Sequence, residues 1–168
     1  MNAIRLELAT TADATAIASL RTAVAGHLTS TFGKGPWSST TSERGVLYHM
    51  RISRVFVARG PEGPIASLTL GTRKPWAIDR KYFAACKRPL YLTEMVVAPG
   101  MQRRGIGHGC IVEAARIGRE WPGDAIWLDA FDAEGGAGEF YRRCGFREVG
   151  RAKYRDCPLI YFEMTLRP

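Results

Sequence analysis

The chain has 168 residues, 46% of them hydrophobic, which is typical of one globular domain with a substantial core. No apolar run approaches the roughly 18 residues that span a bilayer, so we expect no membrane partner. The net charge of +8 is spread over separate basic pairs rather than one block. We therefore expect most of it to be solvated surface, and we do not expect nucleic acid as a partner.

The cysteines and histidines do not form a metal-binding pattern. No Cys-x-x-Cys pair occurs and the three histidines are scattered, so we expect no metal site. Four free thiols are typical of a reducing compartment. The first eight residues alternate as in a strand and lack the apolar core of a signal peptide. These features predict a cytoplasmic protein.

The first part of the chain predicts two helices after an opening strand. Thr10 or Thr11 is a suitable helix cap, and Gly26 is a suitable helix end. The following stretch is rich in turn-forming residues and is typical of a loop. In chain order, the predicted elements are a strand over residues 4–8, a helix from residue 10 or 11 to about 24, a loop over 27–39 and a helix over about 40–51.

A hairpin and an ambiguous segment come next. Residues 55–59 and 65–71 are predicted strands, and the Gly-Pro-Glu-Gly-Pro sequence between them is a turn signal. Residues 72–89 mix aromatic side chains such as Trp76 and Tyr82 with arginine, lysine and proline. This mixture is compatible with a loop that lines a substrate pocket, and equally with an irregular segment that plugs one end of the core.

A helix over residues 105–121 has the clearest pattern in the chain, because apolar residues recur at helical spacing along it. Strands over residues 91–98 and 125–130 flank this helix, so we expect them to be parallel through a right-handed crossover. A short helix that ends at Gly145 and strands over residues 146–149 and 159–166 complete the prediction. The pattern predicts an α+β domain with a mixed sheet of about seven strands and helices on both faces.

The segment Gln102-Arg-Arg-Gly105-Ile-Gly107 is the most informative one for function. It follows an apolar strand and a Pro-Gly break, and it opens the predicted helix. The first N–H groups of a helix have no partner within it, and the helix dipole adds positive charge there. Glycine lets a phosphate approach the main chain. The segment therefore predicts a site for a phosphorylated cofactor.

Three phosphate-binding patterns compete for this segment. A nucleoside-triphosphate loop needs Gly-x4-Gly-Lys-Ser/Thr, which the chain does not contain. A dinucleotide fingerprint needs a third glycine, where the chain has Cys110. The third pattern, Gln/Arg-x-x-Gly-x-Gly/Ala after a strand that ends Val-x-Pro, matches at every position from Val97 to Gly107. This segment resembles motif A of the GNAT superfamily of N-acetyltransferases.

A second stretch resembles motif B of the same family. Ala137-Gly-Glu-Phe140-Tyr141-Arg-Arg-Cys-Gly145-Phe146 matches Ala-x-x-Phe/Leu-Tyr-x-x-x-Gly-Phe and follows at the expected distance. The resemblance implies one N-acetyltransferase domain over residues 1–168 with the GNAT-like fold, a mostly antiparallel sheet with a central parallel pair. It implies acetyl-CoA as co-substrate and an amine of a small molecule or protein as acceptor. Since family members often pair, a homodimer is compatible with it, but the sequence leaves the oligomeric state open.

The resemblance also implies which residues hold the cofactor. The loop should surround the pyrophosphate, and in the family the preceding strand bulges and offers free N–H groups to pantetheine and to the acetyl oxygen. The family often has Asn three residues before the motif B alanine; this chain has Glu134, which when ionised cannot donate a hydrogen bond. The implied cofactor-binding residues are Met95, Val96, Val97, Gln102, Arg103, Arg104, Gly105, Ile106, Gly107, His108, Glu134 and Ala137.

Two residues are candidates for the chemistry. Glu94 lies mid-strand before the loop, where it would either take a proton from the amine or pair with a cation and shape the pocket. Tyr141 of motif B would either donate a proton to the leaving thiolate or fill the core with its hydroxyl at the rim. The competing hypotheses are a non-catalytic acyl-CoA sensor on the same fold and, from charge alone, a nucleic-acid-binding protein.

Overall fold

One seven-stranded sheet organises residues 3–167, which are the residues that the computed structural model describes. Its strands lie in the order β1-β2-β3-β4-β5-β7-β6, and neighbours are antiparallel except for the central pair β4 and β5, which is parallel. The predicted fold class is therefore confirmed. The strands are β1 (Glu7–Leu8), β2 (Arg54–Gly60), β3 (Gly63–Gly71), β4 (Pro89–Val97), β5 (Ala125–Phe131), β6 (Arg147–Tyr154) and β7 (Cys157–Thr165).

Helices cover both faces of the sheet. The helices are α1 (Ala14–Phe32), α2 (Glu43–Ile52), α3 (Ile106–Glu120) and α4 (Gly138–Arg143). On one face, Cys110 and Ala114 of α3 are fully buried against strand residues such as Leu68. Within the described part of the chain, no helix is both long and apolar enough to cross a membrane.

The opposite face is covered in two halves. Helices α1 and α2 pack on β2, where Ile17 and Val46 are fully buried. The segment after β3 packs on β5 and β7, and Phe83 stacks on Trp127 with ring centroids 4.4 Å apart. The second part of residues 72–89 therefore plugs the core, whereas Trp76 in its first part is 86% exposed and lines a cavity.

The predicted end of the first helix is wrong. Helix α1 continues through Gly26 to Phe32, and Gly33, at φ +81°, ends it instead. A glycine in a helix interior costs only about 1 kcal/mol, and the last turns are held by contacts such as the hydrogen bond from Thr29 Oγ1 to Ala25 O at 2.7 Å. Part of the predicted loop over 27–39 is thus helical. The first strand is also shorter than predicted, because only Glu7–Leu8 pairs with β2.

Candidate functional site

The parallel strands β4 and β5 separate soon after they meet. They pair only from Pro89 opposite Ala125 to Tyr91 opposite Trp127. Beyond these pairs the strands diverge, and a cleft of about 460 Å³ opens between them. Its lining comes from α1, β4, β5, the turn after β5 and α4, and includes Arg21, Leu28, Trp37, Thr93, Glu94, Met95, Val96, Asp129, Gly135, Gly136, Ala137 and Tyr141.

A bulge in β4 decides where Glu94 points. Thr93 pairs with Thr69 and Val96 with Ser67, so β4 has one more residue than β3 between these two pairs. Glu94 takes up the extra residue with φ +53°, a conformation that is strained for glutamate. Regular alternation would place Glu94 on the same face as the buried Leu92. The bulge instead brings it into the cleft beside Thr93.

A buried arginine lies beside Glu94. The Arg21 side chain on α1 is 3% exposed, and its Nη1 lies 3.9 Å from Glu94 Oε2, whose side chain is 40% exposed. Nη2 donates to Thr69 Oγ1 at 3.3 Å, and Nη1 donates to His49 Nδ1 at 3.2 Å. Burial lowers the pKa of Arg21, and the charge of Glu94 opposes that shift. Sequence reasoning missed Arg21, although its spacing with Ile17 on the apolar face of α1 was a usable signal.

Tyr141 lies in the cleft wall with its side chain 7% exposed. Its ring packs against Phe140, Phe146 and Phe162 with centroids 5.1, 5.5 and 6.0 Å away. Burial raises the pKa of Tyr141 above its ordinary value, and the nearby Asp129 raises that pKa further. The phenol therefore stays protonated over the physiological range.

Asp129 is a second carboxylate in the cleft, and sequence reasoning missed it. It lies on β5 between the buried residues Leu128 and Ala130. Burial raises the pKa of Asp129 above its ordinary value, so this carboxylate holds a proton more strongly than a solvated one. The signal was a lone acid inside an apolar strand, the pattern that drew attention to Glu94.

The glycine loop before α3 has the geometry of an anion site. Gly105, at φ +78° and ψ 0°, begins the helix, and the first helical hydrogen bond runs from Gly109 N to Gly105 O at 2.9 Å. The N–H groups of Ile106, Gly107 and His108 thus precede the first bonded turn and have no partner within the helix. The Ile106 side chain is 5% exposed, so that residue offers only its main chain.

The side chains around this loop divide into structural and exposed ones. Gln102 Nε2 donates to Val97 O at 3.1 Å, which ties the loop to the end of β4. A Cβ atom on Gly107 would lie 3.0 Å from the Phe140 ring, so the glycine allows α3 to approach α4. Arg103 and Arg104 are exposed and add positive charge beside the free N–H groups, and His108 is exposed there too.

The turn after β5 forms the opposite wall of the cleft. A Cβ atom on Gly136 would lie 1.9 Å from the carbonyl oxygen of Phe131, so only glycine fits there. Gly135, Gly136 and Ala137 line the cleft. Glu134 is exposed and does not belong to that lining.

The chain is similar in sequence to known acetyltransferases. The model of the acetyltransferase (GNAT) family matches residues 23–146. Streptothricin acetyltransferase of Streptomyces lavendulae is 31% identical over 98 residues, which are 58% of this chain and 47% of that protein. The chain thus spans about half the length of this relative.

Solved structures share the fold over almost the whole chain. YncA of Salmonella typhimurium, solved with its cofactor acetyl-CoA, has a TM-score of 0.69 at 15% identity and covers 99% of this chain and 95% of its own. A GNAT-family acetyltransferase of Listeria monocytogenes has a TM-score of 0.73 at 19% identity, over 96% and 95% of the two chains. With more than half of its length matched by the family model, the chain belongs to the acetyltransferase (GNAT) family, whose members use acetyl-CoA.

Proposed function

We propose that this protein transfers the acetyl group of acetyl-CoA to a primary amine of a small molecule, an amino acid or a protein, by direct attack on the thioester. The observation that carries the proposal is the divergence of β4 from β5, with Glu94 and Tyr141 on the walls of the resulting cleft. Bound acetyl-CoA supplies an activated carbonyl carbon and a thiolate leaving group. The protein must then position the donor, accept a proton from the amine and stabilise developing negative charge.

The loop before α3 holds the diphosphate in this proposal. The N–H groups of Ile106, Gly107 and His108 would donate to its oxygens, with the positive end of the α3 dipole behind them. Arg103 and Arg104 are exposed beside these groups and would add charge-assisted contacts. The Gln102 amide already donates to Val97 O, so its role is to hold the loop in place.

Main-chain groups hold the rest of the cofactor. The edge of β4 at Met95, Val96 and Val97 lies beyond its last pair with β5. Val96 is paired with Ser67 of β3, so the N–H groups on the cleft side, those of Met95 and Val97, would donate to the pantetheine arm and to the acetyl oxygen as that oxygen gains charge. Ala137 and the glycines before it form the opposite wall. Because Glu134 is exposed, we propose that the main chain of this opposite wall, and not the Glu134 carboxylate, contacts the other side of the pantetheine arm.

Glu94 is the proposed proton acceptor. Neutralising a lysine-like amine of pKa ~10.4 at pH 7 costs ~4.6 kcal/mol, of which a positioned base supplies part. Glu94 lies at the bulge of β4 and faces the cleft, and the Arg21 guanidinium lies beside it. Asp129, whose pKa is raised by burial, is the competing candidate.

Tyr141 is the proposed proton donor to the leaving thiolate. Its raised pKa keeps the hydroxyl protonated, so it is always available to donate a hydrogen bond. Complete proton transfer is less favourable from such a phenol than from a solvated one. The hydroxyl therefore acts mainly by stabilising the thiolate as the carbon–sulfur bond breaks.

The function is tested by release of free CoA from acetyl-CoA across a panel of primary amines. We expect CoA to appear only when an amine is supplied, and we expect Tyr141→Phe to lower kcat about 100-fold with the Kd for acetyl-CoA unchanged. A protein that binds acetyl-CoA but releases no CoA with any amine would instead be the acyl-CoA sensor of the competing hypothesis.

The loop is tested by Gly105→Ala. An alanine at φ +78° costs about 1–2 kcal/mol, so the loop should change conformation and the Kd for acetyl-CoA should rise about tenfold. Gly100→Ala is the matched control, because a Cβ atom at either position meets nothing within 4 Å and only Gly105 has a positive φ. Equal affinities for the two variants in calorimetry would contradict the loop's role.

The proton acceptor is tested by Glu94→Gln and Asp129→Asn, with Glu62→Gln in the exposed β2–β3 turn as control. We expect Glu94→Gln to lower kcat/KM about 100-fold and Glu62→Gln to leave it unchanged. Burial and, in addition, the nearby Asp129 raise the pKa of Tyr141. Asp129→Asn should therefore lower that pKa and move the basic limb of the pH profile of kcat/KM to lower pH. If Asp129→Asn lowers kcat/KM about 100-fold and Glu94→Gln does not, Asp129 is the base and the assignment to Glu94 is wrong.

A further inference from the structure

We propose that the acceptor is a small amine that also carries a carboxylate and an aromatic or apolar group, and that it binds in a second cavity beside the bulge of β4. This inference rests on the proposed acetyl transfer and names the substrate class for it. The cavity has a volume of about 310 Å³, and its lining includes Tyr48, His49, Arg73, Lys74, Trp76 and Glu94.

The second cavity meets the cleft at the bulge. Thr93 and Glu94 line both spaces, and Arg21 in the cleft wall is hydrogen-bonded to His49 in the wall of the second cavity. An amine in the second cavity would therefore meet Glu94 while the thioester lies in the cleft. At about 310 Å³ the cavity is at the small end for ligand pockets, which favours a small molecule.

The charges in the second cavity favour an anionic group on the acceptor. Glu94 is its one carboxylate, and the buried Arg21 guanidinium lies 3.9 Å from it. Arg73 and Lys74 supply two cations, and Lys74 Nζ is held in place by Ile78 O at 2.8 Å and Pro75 O at 3.0 Å. A carboxylate on the acceptor would meet net positive charge here, whereas a second ammonium group would be repelled.

His49 adds a directional donor. Arginine carries only donors, so His49 Nδ1 accepts the hydrogen bond from Arg21 and the proton of the neutral ring lies on Nε2. Burial lowers the pKa of His49, with Arg21 adding to the shift and Glu94 opposing it, so the ring stays neutral. The cavity wall thus offers an N–H group, which suits a carboxylate oxygen and not an ammonium.

Aromatic side chains supply the apolar part of the cavity. Trp76 is 86% exposed and Tyr48 is 44% exposed, while Tyr91 is buried beneath them. An indole that is almost fully solvated gains by covering its face with an apolar or aromatic group of a ligand. Trp76 lies two residues after the cationic Lys74 and both line the cavity, so one ligand with both groups would contact both residues.

The test compares matched acceptors on protein saturated with CoA. Phenylalanine and phenethylamine differ only in the carboxylate, and spermidine is the polycationic comparison. By calorimetry we expect phenylalanine to bind at least about tenfold more tightly than phenethylamine, from charge-assisted contacts. Arg73→Gln should remove most of that difference, whereas Lys87→Gln, an exposed cation outside the cavity, should leave it unchanged.

Each outcome separates this inference from the proposed function. Equal binding of phenylalanine and phenethylamine, or preferred binding of spermidine, would overturn the assignment of the acceptor even if another amine releases CoA. Conversely, binding of phenylalanine with the expected dependence on Arg73 supports the second cavity as a binding site. If no amine then releases CoA, that result counts against acetyl transfer and not against the binding site. Trp76→Ala should weaken the binding of phenylalanine and of phenethylamine by the same factor, since the stacking contact is common to both.

Discussion

The divergence of β4 from β5 is the constraint on which the rest of the site depends. Two parallel strands that stay paired have no room between them, but here pairing ends at Tyr91 and Trp127. The bulge at Glu94 shifts the register of β4 against β3 and turns that carboxylate into the opening. One local change in the main chain thus places a strand edge along the cleft and a carboxylate at the point where two cavities meet.

Two carboxylates in different surroundings face this opening. Glu94 is partly exposed and lies beside a buried guanidinium, while Asp129 is half-buried near the Tyr141 phenol. Burial raises the pKa of Asp129, so that carboxylate holds a proton more strongly than a solvated one. The buried Arg21 also joins the two cavities, because it bonds Thr69 and His49 while lying near Glu94. One buried side chain therefore contacts residues that line both cavities.

Local patterns predicted much of the fold and of the loop before α3. Helical spacing, strand alternation and the glycine positions depend on neighbours in sequence, which is why the crossover from β4 to β5 and the loop geometry at Gly105 were accessible. Long-range contacts could not be predicted in this way. The pairing of Arg21 with Glu94 joins residues of α1 and β4, and the continuation of α1 past Gly26 depends on the contacts of its last turns. The side on which Glu94 emerges depends on the register with β3, which no local pattern contains.

Amide hydrogen exchange with and without acetyl-CoA tests the central claim most directly. The account predicts slowed exchange at the N–H groups of Met95 and Val97 on β4 and of residues 106–108 at the start of α3, because these donors would be covered and bonded by the cofactor. The paired part of β4 at Leu90 and Tyr91 should change little, since its main chain is already bonded in the sheet. Binding of acetyl-CoA without added protection at either group of donors would contradict the account.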